Sequence, residues 1–386
     1  MRRPFLLFGL LVLMLPASVL GRTWYITPDG TGDAPTIQAG VDSASAGDTV
    51  LVACGIYTDI GYVAPNGVSS CVRMKSNITL LGEGDPSCVV LDAQQQGRVI
   101  LCDSITAFEI TDLTLTGGNV PGGGGLMLWC AENARIARCE FSDNRASRGG
   151  GIYLDVNTRY VDIENCTFSR NHADYQGGGI YCEATDVNIT GCWFERNDGT
   201  YGGGGIAFYK YGYRNVAECV FTHNTSARTC WYGAGIDLEW ANASVDNCTF
   251  FQNQSIAIVV YGPSNLLIRR CIVTGSLYGL DGHVSNDLEE PDVYAICCDV
   301  YGNTICDWCY FEDPSFCTKV DCFSECPSFC NAAAGDFHLC DGSPCLPGNH
   351  PYGADCGLIG ALGEGCACGP SATEPTTWSK IKSMFR

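Results

Sequence analysis

The sequence predicts an all-β fold, a parallel β-helix solenoid, and three observations carry that expectation. The first is a repeat. Cys139, Cys166, Cys192, Cys219 and Cys248 follow one another at intervals of 27, 26, 27 and 29 residues, and Cys271 comes 23 later. Each of the first five has phenylalanine two places on (Phe141, Phe168, Phe194, Phe221, Phe250) and asparagine three further (Asn144, Asn171, Asn197, Asn224, Asn253). A fixed period of this size marks a stacked array rather than a single spherical core. The second observation is alternation. In Cys-x-Phe, and in the segments opened by Ile152, Ile180, Ile206 and Ile236, every second side chain is apolar, the pattern of short strands with one buried face. The third is glycine, 47 of 386 residues, concentrated in runs just before those isoleucines.

Together these make each unit one coil of about three strands joined by tight corners, paired with its equivalent one coil away. Like residues then stack. A column of cysteines fills the narrow interior and a column of phenylalanines the wide part. Asparagine suits a corner with a left-handed backbone, and its amide can bond to the same amide of the next coil. Glycine opens a corner closed to larger residues.

Taken in order, residues 1–21, MRRPFLLFGLLVLMLPASVLG, read as a secretory signal peptide: two arginines, an apolar run broken by Pro16, and small residues after it. An uncleaved anchor is the alternative. Residues 34–47 place Ile37, Val41 and Ala44 at helical spacing and end in glycine, so a capping helix is expected over the first coil. Strands follow in 48–57, 77–82, 89–93, 98–102 and 113–119, and the solenoid is expected over 22–300. From 301 to 369 the chain is a cysteine-rich cap. Thirteen of the 26 cysteines fall between Cys297 and Cys368. In an oxidising compartment these read as disulfides, with Cys345–Cys356 and Cys366 near Cys368 as local members; thiolate ligation of zinc, for instance by Cys306 and Cys309, is the other reading. The ladder cysteines are either buried thiols or vertical disulfides, thiols being favoured. Residues 370–386 place Trp378, Ile381 and Phe385 beside Lys380, Lys382 and Arg386, a short amphipathic tail read as a sorting or attachment signal or a frayed end.

GDAPTIQAGVDSASAGDTVLVACGIYTD (32–59) resembles the opening of right-handed β-helix proteins of the pectin-lyase-like superfamily. The alternating FSDN, FSRN, FERN, FTHN, FFQN and GGGI or GAGI motifs are similar to the repeats of chlamydial polymorphic outer membrane proteins. The resemblance spans roughly residues 30–300 and implies a right-handed coil; its motifs are architectural. The superfamily's hydrolases carry Asn–Asp pairs, a Gly-His-Gly and an Arg-x-Lys, and the nearest approach here is Asp281-Gly282-His283.

The net charge is −20. Such a field excludes nucleic acid as a partner, and it disfavours polyanionic sugars unless calcium bridges the charges. No cofactor and no metal site are expected, calcium entering only if the protein acts on polysaccharides. The expected partner is a polysaccharide or a surface protein of a host or neighbouring cell, with membrane contact confined to the tail. Candidate ligand-binding residues are aromatic: Tyr175, Tyr201 and Tyr232 before the glycine runs, Trp231 beside them, and Tyr153, Tyr181 and Trp193 at outward strand positions. YKYGY at 209–213 is a further patch. The residues preceding the ladder asparagines include Arg170 and Arg196, which either grip an anion or pair with neighbours such as Asp143 and Glu195. No catalytic residue is identified. These features point to a secreted or surface-exposed scaffold without catalysis, adhesin-like or glycan-binding. The rivals are a polysaccharide lyase or glycoside hydrolase with its site on adjacent coils, and a purely structural surface component.

Overall fold

A computed structural model describes residues 21–210, 212–227, 231–283, 291–309 and 317–367. The expected signal peptide and tail lie outside the described residues, apart from Gly21. The chain winds into a parallel solenoid of about 12 turns. Each central turn contributes to three long parallel sheets, A, B and C, and to a short fourth, D. The turn that opens at Glu132 supplies Glu132–Ala137 to A, Glu140–Ser142 to B, Arg145–Arg148 to D and Ile152–Leu154 to C. Among the described residues A has 12 strands, B 10, C 11 and D 4. The sequence suggests three strands per coil; the fourth arises because the residues after Asn144, Asn171 and Asn197 stay extended and pair, as Ala146 does with Ala173.

Register puts like on like. Phe141, Phe168, Phe194, Phe221 and Phe250 are directly paired along sheet B, fully buried, with ring centroids 4.6–4.9 Å apart and planes within 4° of parallel. The glycine runs answer to this column. A Cβ on Gly151 would lie 3.0 Å from the Phe168 ring and 2.5 Å from the Gly179 carbonyl, so the backbone passes where a side chain cannot. Cys139, Cys166, Cys192, Cys219, Cys248 and Cys271 form a column of buried free thiols. Their sulfurs lie against backbone carbonyls, Cys166 Sγ 3.6 Å from Ile136 O and 3.4 Å from Glu164 O.

The asparagines are also buried. Asn171 Nδ2 donates to Asn197 Oδ1 at 3.0 Å and to Phe141 O at 2.8 Å, while its backbone N–H donates to the same Oδ1 at 3.1 Å. The left-handed residue at this corner is not the asparagine but the one before it: Asp143, Arg170, Arg196, His223 and Gln252 have φ between 49° and 56°. Asparagine is therefore required for its amide, which closes a hydrogen-bonded ladder inside the protein, and not for its backbone tolerance.

At the N-terminal end a helix, Ile37–Ser43, buries Ile37 and Val41 against the strands Thr23–Ile26, Thr49–Val52 and Ser69–Arg73. Thr36 caps it, Oγ1 accepting from Ala39 N at 3.2 Å. Parallel pairing runs past residue 300, through Cys317–Val320 on sheet A. The chain then folds back along the outer face of sheet B. Asn247 Nδ2 donates to Leu358 O at 2.7 Å, Ala361 N to Thr249 Oγ1 at 3.0 Å, and Phe337 packs on Trp193 and Phe251 with centroids 5.6 and 5.0 Å away.

Disulfides join Cys54–Cys88, Cys297–Cys356, Cys306–Cys309 and Cys330–Cys366. The local pairing expected for Cys345 and Cys356 is replaced by Cys297–Cys356, which ties the cap to the last coils; Cys345 is a buried free thiol. Cys368 lies outside the described residues. The sulfurs of Cys330, Cys340 and Cys366 come within 4.8 Å of one another, but the Cys330–Cys366 bond withdraws two of the three as thiolate ligands.

Candidate saccharide-binding groove

The aromatic residues singled out in the sequence fall on three surfaces. Trp193 points outward from sheet B and is half-buried, the returning cap laying Phe337 against it at 5.6 Å. Tyr181 points outward from sheet C yet is only 1% exposed: Tyr153 and Tyr209 flank it at 5.3 and 6.5 Å, and its hydroxyl donates to Glu183 at 3.0 Å. Burial corrects Tyr181 as a contact residue, while Trp193 shares its outer face with the cap. Tyr175 is exposed and stacks on Tyr201 at 5.7 Å; Tyr201 meets Tyr232 edge-on at 6.2 Å. Tyr232 approaches Tyr261 at 6.0 Å, and exposed Trp231 lies 5.3 Å from His283. The row is continuous and runs beside sheet C. The alternative reading of the arginines is the one found. Arg170 makes a bidentate pair with Asp143 at 2.9 and 2.7 Å, and Arg196 pairs with Glu195.

Under that row sits a carboxyl the sequence did not point to. Asp237 projects outward from sheet C but is buried beside Gly202 and Tyr232, with Gly233 N 3.4 Å away. Burial, reinforced by Glu239, pushes its carboxyl well above the ordinary range. Asp281 stands in the same column two coils on, with Val259 between, and lies 3.4 Å from His283. Asp281-Gly282-His283 is thus part of the strand Tyr278–His283 rather than a loop.

An open depression lies on sheet A, a groove of about 700 Å³. Two outward columns build it. One carries Asn133, Tyr160, Asp186 and Tyr213 on successive coils; the other carries Arg135, Asp162, Asn188, Asn215 and Ser244, in direct register. Tyr160 and Tyr213 are two coils apart, roughly 10 Å at the usual strand spacing, and are 54% and 80% exposed. Between and beside them are hydrogen-bonding groups. Asn188 Nδ2 donates to Asp162 Oδ1 at 2.8 Å, and the buried Ser244 hydroxyl makes no hydrogen bond to the described residues. Arg135 is held by Glu109 on one side and by Glu164 at 2.8 Å on the other, so its charge is already met.

Tyr213 owes its position to Arg214. In register Arg214 takes the inward place that Val187 and Ala243 hold in the adjoining coils. Its guanidinium is buried over Phe208 and donates to the carbonyls of Ala184, Lys210 and Tyr209 at 3.0, 2.6 and 3.1 Å. Arg214 thus holds the carbonyls of Tyr209 and Lys210 at the start of YKYGY, and Tyr213, its last residue, lines the groove.

Residues 86–240 match the family model described as a right handed beta helix region. Among solved structures the chain is similar to the pectate lyase Pel9A, at 13% identity over 89% of this chain and 96% of that one, with a TM-score of 0.51. It is also similar to a rhamnogalacturonan lyase (12% identity, 80% and 91% coverage, TM-score 0.47) and to the catalytic domain of a GH87 α-1,3-glucanase (10% identity, 77% and 68% coverage, TM-score 0.39). No curated protein sequence matches the chain. At these identities the likeness carries the fold alone.

Proposed function

We propose that this right-handed parallel β-helix protein is a secreted or surface-exposed scaffold that binds neutral saccharide chains along the groove of sheet A, without catalysis. The observation that carries the reading is the pairing of Tyr160 and Tyr213, exposed and two coils apart, with Asp162, Asn188, Asn215 and Ser244 in the adjoining column. Aromatic rings receive the apolar faces of sugar rings, and short polar side chains take their hydroxyls. The groove's acids are Asp162 and Asp186, and its one guanidinium on the outer face is committed to Glu109 and Glu164. That balance favours uncharged chains, in keeping with the net charge of −20. The stacked row from Tyr175 to Tyr232 extends the adhesive surface on another side of the rod. The signal-peptide reading of residues 1–21 supports export.

A catalytic reading has one observation in its favour, the buried acid Asp237 in one outer column with Asp281. The pectate lyase shares the coil, and an acid of this kind could serve as a proton donor. Incubation with neutral and acidic polysaccharides, with and without calcium, separates the two. Retention on an immobilised neutral glycan with no new reducing ends and no unsaturated products supports the scaffold. Turnover that disappears in Asp237→Asn replaces it with the enzyme.

A further inference from the structure

Near the start of the solenoid, on the outer face of sheet C, lies a second cleft of about 500 Å³ unlike the groove in character. Its floor is Leu101, Met127 and Trp129, outward residues of two directly paired strands. The hairpin Tyr62–Val63 and Ser69–Arg73 forms one wall and Pro121 the other. Trp129 is 43% exposed. The cleft is mostly apolar, and it also contains a charge that a binding partner would have to answer.

Arg98 lines this cleft and is 6% exposed. Its Nε donates to Gly123 O at 3.0 Å and its Nη2 to Gly122 O at 2.8 Å; among the described residues no carboxylate pairs with it. Burial draws its guanidinium down to about 10, so it stays charged at neutral pH. Directly below it in register, the Ser70 hydroxyl is fully buried and makes no hydrogen bond to the described residues. The one acid of the cleft, Asp103, faces Arg73 at 3.8 Å and accepts from the Ser104 hydroxyl at 2.9 Å, while Arg73 lies over the Tyr62 ring at 5.0 Å. The lining thus holds one guanidinium and one carboxylate, and the carboxylate is already engaged by Arg73 at the edge of the cleft, which leaves Arg98 as the cation still to be answered. A buried guanidinium without a counter-ion is costly, and its planar fork matches a carboxylate.

We infer that the cleft between the hairpin and Pro121 binds a ring bearing a carboxylate, the ring lying on Trp129 and Met127 and the carboxylate meeting Arg98. An aromatic acid and a uronic acid share this chemistry, and the test tells them apart. The full-length protein is titrated calorimetrically with phenylacetate, with neutral 2-phenylethanol, and with glucuronate beside glucose. Binding of phenylacetate at least about tenfold tighter than of 2-phenylethanol assigns an aromatic acid, and the same preference for glucuronate over glucose assigns a sugar acid. Trp129→Ala weakens the acid about tenfold, Asp103→Asn tightens it severalfold by removing the competing charge, and raising the salt weakens it. Arg98→Gln abolishes the preference for the acid. Because Arg98 also braces the Gly122–Gly123 corner, the Trp129 and Asp103 variants decide the matter if that protein fails to fold. Equal affinity for charged and neutral partners, no binding of either acid, or an unchanged affinity in Trp129→Ala overturns the assignment.

Discussion

At the scale of single residues, identical side chains have different jobs according to column. Asn197 is buried and bonds to Phe168 O at 2.8 Å, to Asn224 Oδ1 at 3.0 Å, and through its own Oδ1 to the amide of Asn171. Asn197→Ala strands these partners away from water. Urea unfolding should show a loss of about 2–4 kcal/mol, because each deserted buried group costs roughly 1–3 kcal/mol. Its neighbour Arg196 pairs with Glu195 in solvent, and Arg196→Ala should change stability by no more than about 1 kcal/mol. The contrast is informative because the two residues are adjacent in the chain. The periodic Cys, Phe and Asn could be read as stacked columns directly from the sequence, since inward positions must repeat for the coils to pack. The backbone at the corner could not. Asparagine tolerates a left-handed φ, so the sequence suggested that role for it, while the structure gives it to Asp143, Arg170, Arg196, His223 and Gln252. A position open to acid, base and amide alike leaves no compositional trace.

At the scale of elements, the cap and sheet B explain one another. Outward positions on sheet B run Glu140 and Thr167 early on, then Trp193, Val220, Thr249 and Ile272, and residues 321–367 return over Trp193, Thr249 and Ile272. That change was a signal available in the sequence, and it went unread because Trp193 looked like an exposed ligand contact. The same interface buries Asp299 completely. Its Oδ1 accepts from Glu325 N at 3.1 Å and its Oδ2 lies 3.4 Å from Cys345 Sγ. Burial raises its carboxyl to about 7, against the ordinary 3.8. The folded state then holds a proton that the unfolded chain has released. This contribution is full below pH 3.8, falls as the pH rises towards 7, and is flat above, a change of at most about 4 kcal/mol. Asp299→Asn should therefore stabilise the cap at neutral pH and remove that slope, as read by hydrogen exchange of residues 321–367 between pH 4 and 8. An unchanged slope would place the buried proton elsewhere.

At the scale of the whole molecule, about 12 turns at roughly 4.8 Å each give a rod near 60 Å long, with faces of different use. Sheet B is covered by the cap, sheet C carries aromatic rows and the Arg98 cleft, and sheet A presents the polar groove. The coil, its cysteine, phenylalanine and asparagine columns and the first helix were legible in the sequence because burial imposes a period. The groove was not. Tyr160, Asp162, Asn188 and Tyr213 occupy outward positions where each coil is free to differ, so only register reveals that they adjoin. The YKYGY patch was noticed, but not that Arg214 would anchor it. The two sites should also respond differently to ionic strength: uncharged sugars in the groove are insensitive to salt, whereas a carboxylate at Arg98 is not. The most direct test of the central claim is calorimetric titration of a neutral oligosaccharide into the wild-type protein and into the Tyr160→Ala, Tyr213→Ala double variant. An affinity weakened roughly 10- to 100-fold, with an unaltered circular dichroism spectrum, is the predicted result; equal affinity in the two proteins would contradict it.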